Sequence, residues 1–123
     1  MKSVLALMTA LALSSPALAQ HVHDATGPNG GQIEDVAGVH AELITSGNTI
    51  TINVFDEGNK PIVTKGFAAS ALVSRGAERE TVALVPSDEV TLKGEAKKPV
   101  TGAAITVTLK TATGKSGQAR FKP

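Results

Sequence analysis

The chain has three histidines, and all fall in its first third: His21, His23 and His40. His21-Val22-His23-Asp24 places two imidazoles and a carboxylate within four residues. If the chain is cut after Ala19, this cluster stands beside a new amino terminus. The α-amine of Gln20, the deprotonated amide of His21 and the His21 imidazole then form a planar set of nitrogen donors. Such a set suits Cu(II) or Ni(II), and His23 and Asp24 can add to it. Cyclisation of Gln20 would remove the amine. The same residues also read as a solvated leader with incidental histidines.

A second candidate is His40-Ala41-Glu42. On a strand, residues i and i+2 share a face, so imidazole and carboxylate point the same way. They form either half of a Zn or Cu site, completed by His21 and His23 folding back, or a plain surface pair. The Gly-rich stretch between the two clusters permits that folding. The chain has no Cys, and its two Met residues, Met1 and Met8, lie at the start. Cu(I) favours sulfur ligands, so Cu(II), Zn, Ni or Co through nitrogen and oxygen is the expected metal chemistry.

The elements that must position these residues begin after a leader. Lys2, the apolar run Val4–Leu13, the breakers Ser14-Ser15-Pro16 and the small-x-small site Ala17-Leu18-Ala19 form a secretory signal, with a signal helix over residues 1–19. The apolar run is shorter than the roughly 20 residues needed to span a bilayer. Cleavage after Ala19 leaves residues 20–123, enough for one domain. With Lys2 taken from the 12 basic residues, 11 remain against 11 acidic ones. This balance gives no nucleic-acid footprint and no polybasic membrane patch. The expected location is periplasmic.

Residues 20–30 end in Gly27-Pro28-Asn29-Gly30 and read as a mobile His-containing arm. From Gly31 to Pro123, short runs rich in Val, Ile and Thr alternate apolar with polar and are bounded by Gly, Asn, Asp and Pro. Strands are expected at 31–36, 39–45, 49–55, 66–74, 79–85, 89–93, 103–110 and 117–122. The expected fold is all-β, a single sandwich of about seven or eight antiparallel strands with immunoglobulin- or fibronectin-like topology. A small barrel is the second choice.

One hairpin can be built residue by residue. A two-residue turn at Gly47-Asn48 sets Ser46 opposite Thr49, Ile44 opposite Thr51, Glu42 opposite Asn53 and His40 opposite Phe55. Ala41, Leu43, Ile50, Ile52 and Val54 then form a core face. His40, Glu42, Thr51 and Asn53 form a face expected to look outward. Phe67 and Phe121 read as core, and Glu34-Asp35 as a solvated strand end. Lys97-Lys98 reads as a solvated turn, and Asp56-Glu57-Gly58-Asn59 as a hairpin connection.

Enzyme chemistry finds little support. Cys nucleophiles are excluded, no strained nucleophile elbow is present, and no second carboxylate is paired with Glu42 by the pattern.

Pro28-Asn29-Gly30-Gly31-Gln32-Ile33, followed by Val39-His40-Ala41-Glu42-Leu43-Ile44, resembles a pattern in two related settings. One is a group of small bacterial periplasmic proteins. The other is the N-terminal extension of periplasmic adaptor subunits of heavy-metal RND efflux pumps. Gly58-Asn59-Lys60-Pro61 and Gly117-Gln118-Ala119-Arg120-Phe121 also resemble the small proteins. The resemblance implies a β-sandwich, a role near heavy-metal efflux and an efflux adaptor as partner. It supplies no ligands: where pump extensions often place His before Gly-Gly, this chain has Asn29.

The expectation is therefore a non-catalytic periplasmic module that sequesters or delivers a divalent metal through His21, His23 and His40, with Glu42 and Asp24 as further ligands. The rival is a protein-interaction or structural domain that binds no metal.

Overall fold

The computed structural model describes residues 26–123. Eight antiparallel strands follow one another along the chain: β1 (Gln32–Val36), β2 (Val39–Ser46), β3 (Thr49–Phe55), β4 (Ala68–Arg75), β5 (Glu78–Ser87), β6 (Thr91–Glu95), β7 (Ala104–Lys110) and β8 (Ser116–Phe121). Each of the eight expected runs overlaps one of them, with ends that differ by up to two residues. The all-β antiparallel class is the one expected. The expected signal helix over residues 1–19 lies outside the described residues.

The strands form one sheet in the order β1-β2-β3-β6-β5-β4-β7-β8. The sheet folds over on itself through β5. Residues 78–84 of β5 pair with β4, and Val85–Ser87 pair with β6. The sheet thus has two halves that share β5. Folding also brings β1 back beside β8. There the Gln32 side chain acts as a substitute peptide. Its Nε2 donates to the Lys122 carbonyl at 3.0 Å, and its Oε1 accepts from the Lys122 amide at 3.3 Å. This satisfies the backbone N–H and C=O of Lys122, just past the end of β8.

Between the halves lies the core. Ile50, Ile52, Val54 and Leu92 from one half meet Val73, Ile105, Val107, Leu109 and Phe121 from the other. All are buried because side chains alternate across each strand and the apolar set falls on the inner face. Phe67 and Phe121 belong to this cluster, as expected.

The register of β2 against β3 is the one built from the sequence, including Glu42 opposite Asn53 and His40 opposite Phe55. After β3 the chain makes the expected turn: Phe55 bridges antiparallel to Pro61 and the Ile62 amide donates to the Val54 carbonyl at 2.9 Å. The returning residues 62–67 form no full strand on β3, whose ladder partners are β2 and β6. They carry the chain past β6 and β5 to β4. Asp56 Oδ1 accepts from the amides of Gly58 and Lys60, both at 2.9 Å, and the Asn59 amide donates to the Asp56 carbonyl. Buried Thr64 then anchors the crossing: its amide donates to the Glu89 carbonyl and its hydroxyl to that of Thr91.

Phe121 is fully buried two residues from the C-terminus and fastens the last strand to the core. Replacing it by Ala is expected to cost about 3–5 kcal/mol, a large share of the roughly 5–15 kcal/mol typical of a folded domain. Urea unfolding reads this as a large drop in the midpoint.

Candidate functional site

The candidate residues gather on the first two hairpins. β1 and β2 are joined by Ala37-Gly38, with φ of 53° and 81°. Left-handed backbone at both positions is what a two-residue turn of this twist requires. The turn sets Val36 opposite Val39, Asp35 opposite His40 and Ile33 opposite Glu42. Partners across a ladder share a face, as do residues two apart on one strand. Ile33, Asp35, His40, Glu42, Asn53 and Phe55 therefore lie together on the face turned away from the core.

Sequence reasoning expected this face to be open, and for Glu42 that expectation is wrong. Glu42 is fully buried. Ile33 and Phe55 are also buried, outside the main core cluster. What lies over the Glu42 carboxylate is the N-terminal turn, residues 26–31. Thr26 pairs with Gln32, the Gly27 amide donates to the Gly31 carbonyl at 2.7 Å, and the Gly30 amide donates to the Gly27 carbonyl at 3.0 Å. The expected mobile arm, residues 20–30, includes part of this stretch, where Thr26 bridges to Gln32, Gly27 bonds to Gly31 and Asn29 bonds to Glu42.

The turn delivers donors to the carboxylate. Glu42 Oε2 accepts from the amides of Asn29 at 2.8 Å and Gly31 at 3.0 Å. Oε1 accepts from Asn29 Nδ2 at 2.8 Å and, more distantly, from Asn53 Nδ2 at 3.4 Å. Four N–H groups thus meet the roughly four lone-pair directions a carboxylate offers. All four are neutral. Burying a carboxylate without partners is very costly, whereas charge-assisted hydrogen bonds are stronger than neutral ones.

The glycines explain how the turn comes so close. A Cβ on Gly27 would overlap the Glu42 carboxylate, and one on Gly31 would overlap the Leu43 carbonyl. Only a residue without a side chain allows that approach.

His40 sits two residues away and is engaged differently. Its Nδ1 lies 2.5 Å from Asp35 Oδ1, with side-chain exposures of 25% and 56%. The ring is therefore reachable from solvent, and its Nδ1 side is held by a carboxylate. That arrangement leaves Nε2 as the nitrogen able to bind a ligand, as in carboxylate–histidine pairs at metal sites. Sequence composition alone reads Asp35 as a solvated strand end. The strand limits around Ala37-Gly38 already implied its position opposite His40, by the same reasoning that fixed the next hairpin.

The structure thus separates His40 and Glu42, which sequence reasoning had joined. His40 pairs with Asp35 at the surface, and Glu42 is committed to the N-terminal turn. His21, His23 and Asp24 lie outside the described residues. Among the described residues, no group of three or more His, Asp or Glu side chains could hold a metal ion.

The fold and site define an antiparallel β domain with a capped internal carboxylate and an adjacent surface His–Asp pair. Comparison with family models, curated proteins and solved structures found no match to the chain.

Substituting Glu42 by Gln preserves shape but turns an NH2 group toward backbone donors and removes the charge they serve. The expected loss is about 2–3 kcal/mol, the scale of hydrogen bonds to a charged group left unmade. Urea unfolding of the variant should show a lower midpoint with an unchanged slope.

Proposed function

We propose that the chain is an exported, non-catalytic binding module whose ligand is a divalent metal ion, Cu(II) or Zn before Ni or Co. The ligands in this reading are the imidazoles of His21, His23 and His40, with Asp24 as a supplementary oxygen donor. Glu42 drops out of the ligand set, because its oxygens are taken by the turn. Asp35 replaces it in a different role, orienting the His40 ring from Nδ1.

The observation that carries this reading is the face on which the N-terminal segment meets the domain. Its turn lies over Glu42, and His40 shares that face of β2. Thr26 is tied to Gln32, which pairs with Leu43. His40 is three strand positions, about 10 Å, along β2 from Leu43, and Thr26 is about two strand spacings, roughly 10 Å, across from Leu43, which puts Thr26 about 14 Å from His40. Five extended residues, from Thr26 back to His21, span about 17 Å, and three, back to His23, about 10 Å before side chains are counted. Chain length thus supports the proposal that these histidines meet the His40 ring. A heavy-metal efflux adaptor is the partner this reading suggests, through the resemblance of the Asn29-Gly30-Gly31 and Glu42-Leu43 stretches.

A second reading, a metal-free interaction module, draws on one feature. Val39, Ile62, Val63, Phe67 and Ala112 line an apolar groove at the end of the sheet, and Val63 is 59% exposed within it.

The test is calorimetric titration of residues 20–123 with Cu(II) and with Zn(II). Saturable binding is expected with at least one ion, and it should weaken in acid, where protons compete for the imidazoles. Asp35→Asn should lower affinity roughly 10–100-fold, as loss of an orienting partner does, with folding almost unchanged. Removing residues 20–25 should lower it further. Absence of binding with both ions would refute the metal reading and leave the interaction module.

A further inference from the structure

Asn29 and Gly30 form the only Asn-Gly pair in the chain, and Asn29 is the residue that touches the buried carboxylate twice. We propose that Asn29 is a guarded deamidation site: the folded turn protects its amide, and conversion of that amide to an acid unlocks the turn. The proposal stands independently of any metal.

The chemistry needs only water and a base. The Gly30 backbone nitrogen gives up its proton and attacks Asn29 Cγ. A new C–N bond closes a succinimide as the Cγ–Nδ2 bond breaks, and the departing nitrogen leaves as ammonia, taking up the proton. Water then opens the ring at either carbonyl, giving aspartate or isoaspartate. Gly at the following position leaves the attacking nitrogen unhindered.

In the fold, both nitrogens are held. The Gly30 amide donates to the Gly27 carbonyl at 3.0 Å, and Asn29 Nδ2 donates to Glu42 Oε1 at 2.8 Å. The Asn29 amide is fixed to the other carboxylate oxygen. Ring closure requires the side chain to leave Glu42 and the turn to open, so reaction waits on local unfolding.

The product cannot restore the cap. Aspartate at position 29 has an acceptor where the donor stood, facing Glu42 Oε1 across hydrogen-bond distance. Two carboxylates so placed repel when both are charged, and one of them is buried. Isoaspartate adds a backbone atom between positions 29 and 30. Although position 30 faces open space, the added length displaces the Asn29 and Gly31 amides from Glu42 and presses on Gly27 and Gly31, where even a Cβ would overlap its neighbours. A chain that stays unfolded long enough to react would thus refold with its N-terminal turn released.

The experiment incubates residues 20–123 at mildly alkaline pH, folded and in urea, and follows Asn29 by peptide mass mapping. The unfolded chain should convert at least about tenfold faster than the folded one. In Glu42→Gln, under conditions where circular dichroism shows it folded, conversion should accelerate toward the unfolded rate. Asn29→Asp should unfold at lower urea than the parent. Equal rates in folded and unfolded protein, an unchanged rate in the Glu42 variant, or a parental midpoint for Asn29→Asp would each overturn the proposal.

Discussion

The Glu42 carboxylate lies out of water in the middle of β2, and the N-terminal turn exists to meet it. Two backbone amides and two side-chain amides converge on its oxygens without a cation among them. The arrangement couples two segments more than ten residues apart in sequence. Removing a donor leaves a buried charge short of partners, and removing the charge leaves buried donors short of an acceptor, so either change is costly. The glycines at 27 and 31, the Asn at 29 and the Glu at 42 are therefore one device rather than separate features.

This device changes what the neighbouring residues mean. Pro28-Asn29-Gly30-Gly31 and Glu42-Leu43, separated in sequence, are in contact in the fold. Asn29 is a donor to a carboxylate, which explains the residue without reference to metal. His40, once freed from its supposed partnership with Glu42, is left with Asp35 on a partly open surface. The same face of the hairpin thus carries a closed structural site and an open one, a few ångströms of strand apart.

Much of the fold was legible in the sequence. Period-two alternation of Val, Ile and Thr gave eight strands, and Gly47-Asn48 gave the register of β2 against β3, because both signals are local. The Ala37-Gly38 turn holds the same kind of local signal for the Asp35–His40 pairing, although composition alone reads Asp35 as a solvated strand end. Two things were hidden. The path of residues 62–67 depends on which strands β3 already pairs with, a non-local fact that turn composition cannot reveal. The burial of Glu42 was hidden because alternation places it on a polar-looking face, and only a segment folding back from eleven to thirteen residues away covers it.

Hydrogen exchange at the Asn29 and Gly31 amides tests the central claim directly, since both donate to Glu42 Oε2 and neither takes part in a strand ladder. The account predicts that NMR will find both amides strongly slowed relative to an unstructured chain, as exchange from hydrogen-bonded positions requires opening. Exchange at unstructured rates in the folded protein would show that the turn does not hold the carboxylate, and the account would fail.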